Sequence, residues 1–118
     1  MAVKPYTEET IREPAAFHPR LVTWDALAGN DSGEPYPAAT SRDRTVQFTG
    51  NFDGATVKLE GSLDGANYFT LTDPQGNAIS KTSAGGETIT EFVRFARPVA
   101  TGGSGSCAVV TTLLVGGA

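Results

Sequence analysis

"RTVQFTGNFDGATVKLEGS", residues 44–62, holds two runs of strict alternation around one tight turn. In the first run Val46 and Phe48 fall on one side of an extended chain, Gln47 and Thr49 on the other. In the second, Val57 and Leu59 alternate with Thr56, Lys58 and Glu60. A period of two marks a strand with one face buried and one face wet. "NFDG" (51–54) supplies the turn, with Gly54 free to adopt positive φ.

The same grammar continues toward the C-terminus. Asp64-Gly65 lies 11 residues after Asp53-Gly54, and Gln75-Gly76 lies 11 after that. "GANYFTLT" (65–72) carries Phe69 and Leu71 on one face, and "NAISKT" (77–82) returns. Further strands are expected at "ETITEFVRF" (87–95), "RPVAT" (97–101) and "SCAVVTTLLV" (106–115), with "TSAGG" and "TGGSG" as turns. The last is apolar on both faces: Val109, Leu113 and Val115 on one, Val110 and Leu114 on the other. It should therefore be central or covered by a further layer. Turn signals every 8–12 residues indicate an all-β sandwich or barrel.

Upstream, "LVTWDAL" (21–27) is strand-like, with Trp24 as a core or sheet-face anchor. A loop rich in Gly, Pro, Asn and Asp follows (28–43), long enough to cross the domain or touch a partner. Residues 1–20 differ in texture. Pro5, Pro14 and Pro19 interrupt them, and Pro14 would stop a helix capped by Thr10 and Glu13 after about one turn. The fold expected is all-β: an antiparallel two-sheet sandwich of about eight strands over 21–118, jelly-roll-like, with an extended N-terminal arm over 1–20. An immunoglobulin-like sandwich ranks second, because its Cys–Trp–Cys set is missing.

Composition narrows the function. A chain of 118 residues suits one domain with a modest core. Net charge is −4, and the nine basic residues are scattered without an aromatic-bearing stripe, which argues against nucleic acid. No run approaches the ~20 apolar residues that span a bilayer, and no apolar segment follows a basic start. Synthesis in a reducing cytoplasm is expected. Cys107, the only cysteine, lies in an apolar run and reads as a small buried residue.

Asp53, Asp64, Asp73, Asn67 and Asn77 beside glycines fit either calcium ligation or turn chemistry, and without D-x-D-x-D spacing turns are the simpler reading. His18, 89 positions from Cys107, sits between Phe17 and Pro19 in the arm, which argues against zinc and against a fixed general base. No phosphate-cradling motif is present, and "GGSGS" (102–106) lacks the last glycine of a nucleophile elbow. Among Glu60, Asp64 and Glu91 no spacing selects an acid/base pair. Trp24, Tyr36, Tyr68 and Phe69 fit a sugar-stacking platform or a core. The expectation is a non-enzymatic protein without cofactor or metal.

The order of "TVQFTGNFDGATVKLEGSLDGANYFTLTDPQGNAIS" (45–80) and "VRFARPVATGGSGSCAVVTTLLV" (93–115) resembles small virion proteins of tailed phages, as does W-x-x-L-x-x-x-D-x-G-E-P from Trp24 to Pro35. The resemblance implies a decoration or cement protein on the outer surface of an HK97-like capsid, with the major capsid protein as partner. No catalytic residue belongs to that pattern. The irregular segments 1–20 and 28–43 are expected to carry the contact, with Tyr6, Ile11, Phe17, His18, Arg20, Asp31, Glu34 and Tyr36 as candidates. Self-association as a dimer or trimer through an open sheet edge is expected as well. The alternatives are a carbohydrate-binding or adhesin module of a phage tail, and a structural tail subunit.

Overall fold

The computed structural model describes residues 2–11, 19–39 and 43–116. Among these residues there is no helix, and the strands are β1 (Val3–Lys4), β2 (Tyr6–Thr10), β3 (Arg20–Leu27), β4 (Ser32–Gly33), β5 (Tyr36–Pro37), β6 (Asp43–Asn51), β7 (Ala55–Ser62), β8 (Phe69–Thr70), β9 (Ser80–Lys81), β10 (Gly85–Thr88), β11 (Phe95–Gly102) and β12 (Ala108–Gly116). They form two sheets. One has the order β1-β4-β11-β7-β8, with β5 also on β11 and β9 also on β7; the other has the order β10-β6-β12-β3-β2. Every pairing is antiparallel except β1 with β4.

The alternation read from 44–62 holds. Val46, Phe48, Val57 and Leu59 are buried, whereas the residues between them reach the surface. The turn between the two runs joins different sheets, since β6 pairs with β12 and β7 with β11. Asp53 and Gly54 both take positive φ (44° and 85°), and the Ala55 N–H donates to the Phe52 carbonyl at 2.8 Å. This tight corner turns the chain from one layer into the other.

β3 shows how an irregular apolar spacing is accommodated. Val22 and Trp24 are two apart, but Leu27 is three beyond Trp24, and all three are fully buried. On β12 their neighbourhood spans one residue fewer: Thr111 opposes Trp24 and Val109 opposes Leu27. The extra residue forms a bulge, with Ala26 at φ 55°. The bulge resets the alternation so that both large side chains face the core.

Two expected strands are redrawn. "ETITEFVRF" is interrupted, because β10 lies in one sheet and β11 in the other, and 89–94 crosses between them. Ile89 and Val93 anchor the crossing from within the core. "RPVAT" belongs to the long β11. Phe69 and Leu71 do not share a face: Phe69 is 44% exposed and Leu71 is buried. Regular pairing stops at Thr70, after which the Leu71 N–H donates to the Leu59 carbonyl and the chain turns inward. β12 is central, as its apolar character predicts; among the described residues no further layer covers its outer side, and Leu114 stays 41% exposed.

The N-terminal segment is extended, yet its described part belongs to the sandwich. β1 adds to one sheet and β2 to the edge of the other, so the sandwich begins at residue 3 and not at 21. To the interior, β7 and β11 contribute Ala55, Gly61, Ala96 and Ala100, and the opposite sheet contributes Trp24, Phe48 and Leu113.

Among the buried polar residues, Thr111 interrupts the apolar inner row of β12. The Thr111 hydroxyl is fully buried on the inner side of β12 without a hydrogen-bond partner. Thr111→Val should raise stability by about 1 kcal/mol, since it removes an uncompensated polar burial. Thermal melting tests this: an unchanged or lower midpoint would mean that the hydroxyl is satisfied.

Candidate functional site

Three regions bear on function. The first joins the N-terminal strands to the 28–39 segment. The Trp24 indole N–H donates to the Glu34 carbonyl at 2.9 Å. The Tyr6 ring stands edge-on to Trp24 and Tyr36, with centroids 6.0 and 5.2 Å apart. The Tyr36 hydroxyl donates to Glu8 Oε2 at 2.6 Å, and Arg20 Nε lies 3.6 Å from the same oxygen. Asp31 accepts from the Ala2 amide at 3.1 Å and the Ala28 amide at 2.9 Å, tying the chain start to the turn after β3.

Burial, the hydrogen bond to Glu8 and the Glu8 charge push the Tyr36 phenol up to about 12. Tyr6 is also raised, by burial and by Glu34 and Glu8.

The second region is the pair of Asp-Gly-type turns. Asp64 Oδ1 accepts from the amides of Ala66 (2.9 Å) and Asn67 (2.8 Å) and from the Ser62 hydroxyl (3.0 Å), and Oδ2 accepts from the Asn67 side chain at 2.8 Å. Those hydrogen bonds hold its carboxyl well below the usual carboxylate range. Asp73 Oδ1 accepts from the amides of Gln75 and Asn77, both at 3.0 Å. Both side chains organise hairpin turns, which is the turn reading of this stretch. Among the described residues no three of His, Cys, Asp and Glu gather into a ligand set for a metal ion.

The third region is the end of the sandwich where β7 finishes and β11 begins. Leu63, Phe69 and Phe92 are exposed there. Arg44 lies over the Phe92 ring and Arg94 over Phe95, each 5.2 Å from the centroid. Arg97 sits 3.8 Å above Tyr68 and pairs with Glu60 at 3.1 Å. Beside it a groove of about 270 Å³ is lined by Asn30, Ser32, Glu60, Arg97, Val99 and Thr101. Burial pushes the Glu91 carboxyl up, but bonds from the Thr72 hydroxyl and amide, with the Arg44 charge, outweigh it and lower the net value.

Glu60, Asp64 and Glu91 thus each have a different partner. Of the four rings considered as a sugar platform, Trp24 and Tyr36 are buried, Tyr68 lies beneath Arg97, and Phe69 projects outward. Cys107 is buried with Sγ 3.6 Å from the Leu27 carbonyl oxygen, and burial raises its thiol.

Among the contact candidates, Asp31 and Tyr36 are buried and committed to internal bonds, and Tyr6 packs on the core. Ile11 and Arg20 are half-buried, Glu34 is exposed, and Phe17 and His18 lie outside the described residues. Reading 1–20 and 28–43 as irregular missed that aromatic residues there complete a core. The arginine-aromatic end was missed too, although "FVRFAR" (92–97) interleaves both residue types.

No family model matches the chain. No curated protein matches its sequence. Among solved structures, the fold is similar to that of the SPBc2 prophage-derived protein YomS, with a TM-score of 0.63 at 13% identity, covering 83% of this chain and 95% of that one. The two chains share an architecture.

Because the folded state keeps the Tyr36 proton where an unfolded chain loses it, the stability this contributes is fully present below pH 10 and is lost as pH rises toward 12. Tyr36→Phe should cost about 1–2 kcal/mol at neutral pH, through the lost bond to a carboxylate, and flatten the fall in melting temperature above pH 10. Parallel pH profiles for the two proteins would contradict this assignment.

Proposed function

We propose that the chain is a non-enzymatic virion protein that binds the outside of a phage capsid and stabilises it by bridging neighbouring capsid subunits. The observation that carries the reading is the exposed Leu63, Phe69 and Phe92 set among arginines at one end of the sandwich. Aromatic residues and Arg are the types that dominate binding energy at protein interfaces. The shared fold with a prophage-derived protein and the phage-like order of turn motifs support the setting. Ile11, Arg20 and Glu34, beside the N-terminal strands, are the remaining contact candidates.

Bridging needs no chemistry. A copy that touches two capsid subunits forms its second contact at high effective concentration, so two weak interfaces hold strongly together. Outward pressure on the shell is then opposed by binding free energy alone.

A second reading, a glycan-binding module of a phage tail, is favoured by the groove in which the Arg97–Glu60 pair lies next to Tyr68. Co-sedimentation with expanded capsids lacking the protein separates the two. The capsid reading expects saturable binding at a fixed ratio to capsid protein, weakened at least about tenfold by Phe69→Ser with Phe92→Ser. Absence of binding by the unaltered protein, combined with glycan binding lost in Tyr68→Ala, would replace it with the second reading.

A further inference from the structure

The outer face of the five-stranded sheet has a composition that neither the fold nor capsid binding accounts for. Registers place Thr112 between Thr23 and Gln47, and Leu114 between Leu21 and Thr45. Val110 completes the row above, opposite Thr49. These eight residues are all uncharged, although 19% of the chain is charged. Among the described residues, acidic side chains flank this group: Asp25 lies within β3 at the bulge opposite Val110, Asp43 opens β6, and Glu9 sits on β2. Leu21 and Leu114 are direct cross-strand neighbours, so an apolar pair lies toward one end of a hydroxyl-rich surface.

We infer that this face is a homodimer interface, closed by a second copy of the chain packed sheet on sheet about a two-fold axis. Charge favours that occupant. Two molecules of net charge −4 repel one another, and this face lets them approach through eight uncharged residues, with the acidic groups lying around them. The sheet edges are poorer routes. β2 carries Glu8 and Glu9, which would oppose their own copies in an edge-to-edge pair, and β10 has only four residues, two of them glycine. Size is adequate as well. Strands of the observed lengths, spaced about 4.8 Å apart with about 3.3 Å per residue, present about 550 Å² per copy. The resulting burial of about 1,100 Å² lies near the lower bound of specific interfaces, so a reversible dimer is expected. The inference stands independently of capsid binding.

Sedimentation equilibrium from micromolar to millimolar concentration tests it. The unaltered protein should follow a monomer–dimer equilibrium. Thr112→Lys should raise the dissociation constant at least about tenfold, because each copy would bring an unpaired charge to the centre of the contact. Thr56→Lys, on the outer side of the other sheet, should leave it unchanged. If Thr112→Lys fails to fold by circular dichroism, Thr45→Lys on the same face serves instead. Hydrogen exchange of the unaltered protein should also slow at 109–115 as concentration rises. A monomer throughout the range, a trimer, or a dimer indifferent to lysine on this face with no concentration-dependent protection would overturn the proposal.

Discussion

Trp24 is the group around which the least regular parts of the chain are arranged. Its indole is fully buried, its N–H is satisfied by the Glu34 carbonyl, and Tyr6 closes it from one side. Gly33 passes so close that a Cβ there would lie 2.6 Å from the Trp24 ring and 2.5 Å from Pro98. Only glycine fits such an approach. The 28–39 segment therefore lies down on the sandwich, and its turn receives β1 through parallel pairing and through Asp31. The bulge at Ala26 belongs to the same arrangement, because it lets Leu27 follow Trp24 into the core.

That arrangement explains which parts of the fold were legible in the sequence. Strands in which one residue in two is apolar announce themselves, as β6 and β7 do, since each satisfies the pleat locally. The positions of Asp64 and Asp73 were legible for a similar reason: their carboxylates bond to amides two to four residues away. What local pattern hides is assignment to a sheet. The "NFDG" turn has hairpin composition but spans two layers, and 87–95 looks like one strand because Ile89 and Val93 are both core residues of a crossing. The N-terminal strands were hidden most, because β2 has a single side chain that packs on the core and takes its stability from partners 10 to 30 positions away.

The consequence for function is a separation of tasks. Most of the polar groups that first suggest chemistry are structural: carboxylates at turns, a phenol locked to Glu8, a thiol under β3. Two exposed surfaces stand apart from those structural groups, the arginine-aromatic end and the outer face of the five-stranded sheet. A rigid sandwich can present both at once, one toward a partner of different kind and one toward its own copy. Avidity would then multiply in two ways, since a dimer carries two copies of the end that binds outward.

The claim on which the rest depends is that residues 2–10 are part of the folded unit and not a loose arm. Ser32 and Glu34 donate their amides to the carbonyls of Ala2 and Lys4 at 2.9 and 2.7 Å, bonds that exist only while β1 is docked. Native-state hydrogen exchange at those two amides is therefore the direct test. Slow exchange, approaching that of the paired β3 amides and lost when residues 2–10 are removed, is the predicted result. Exchange at the rate of an open loop in the full chain would contradict it.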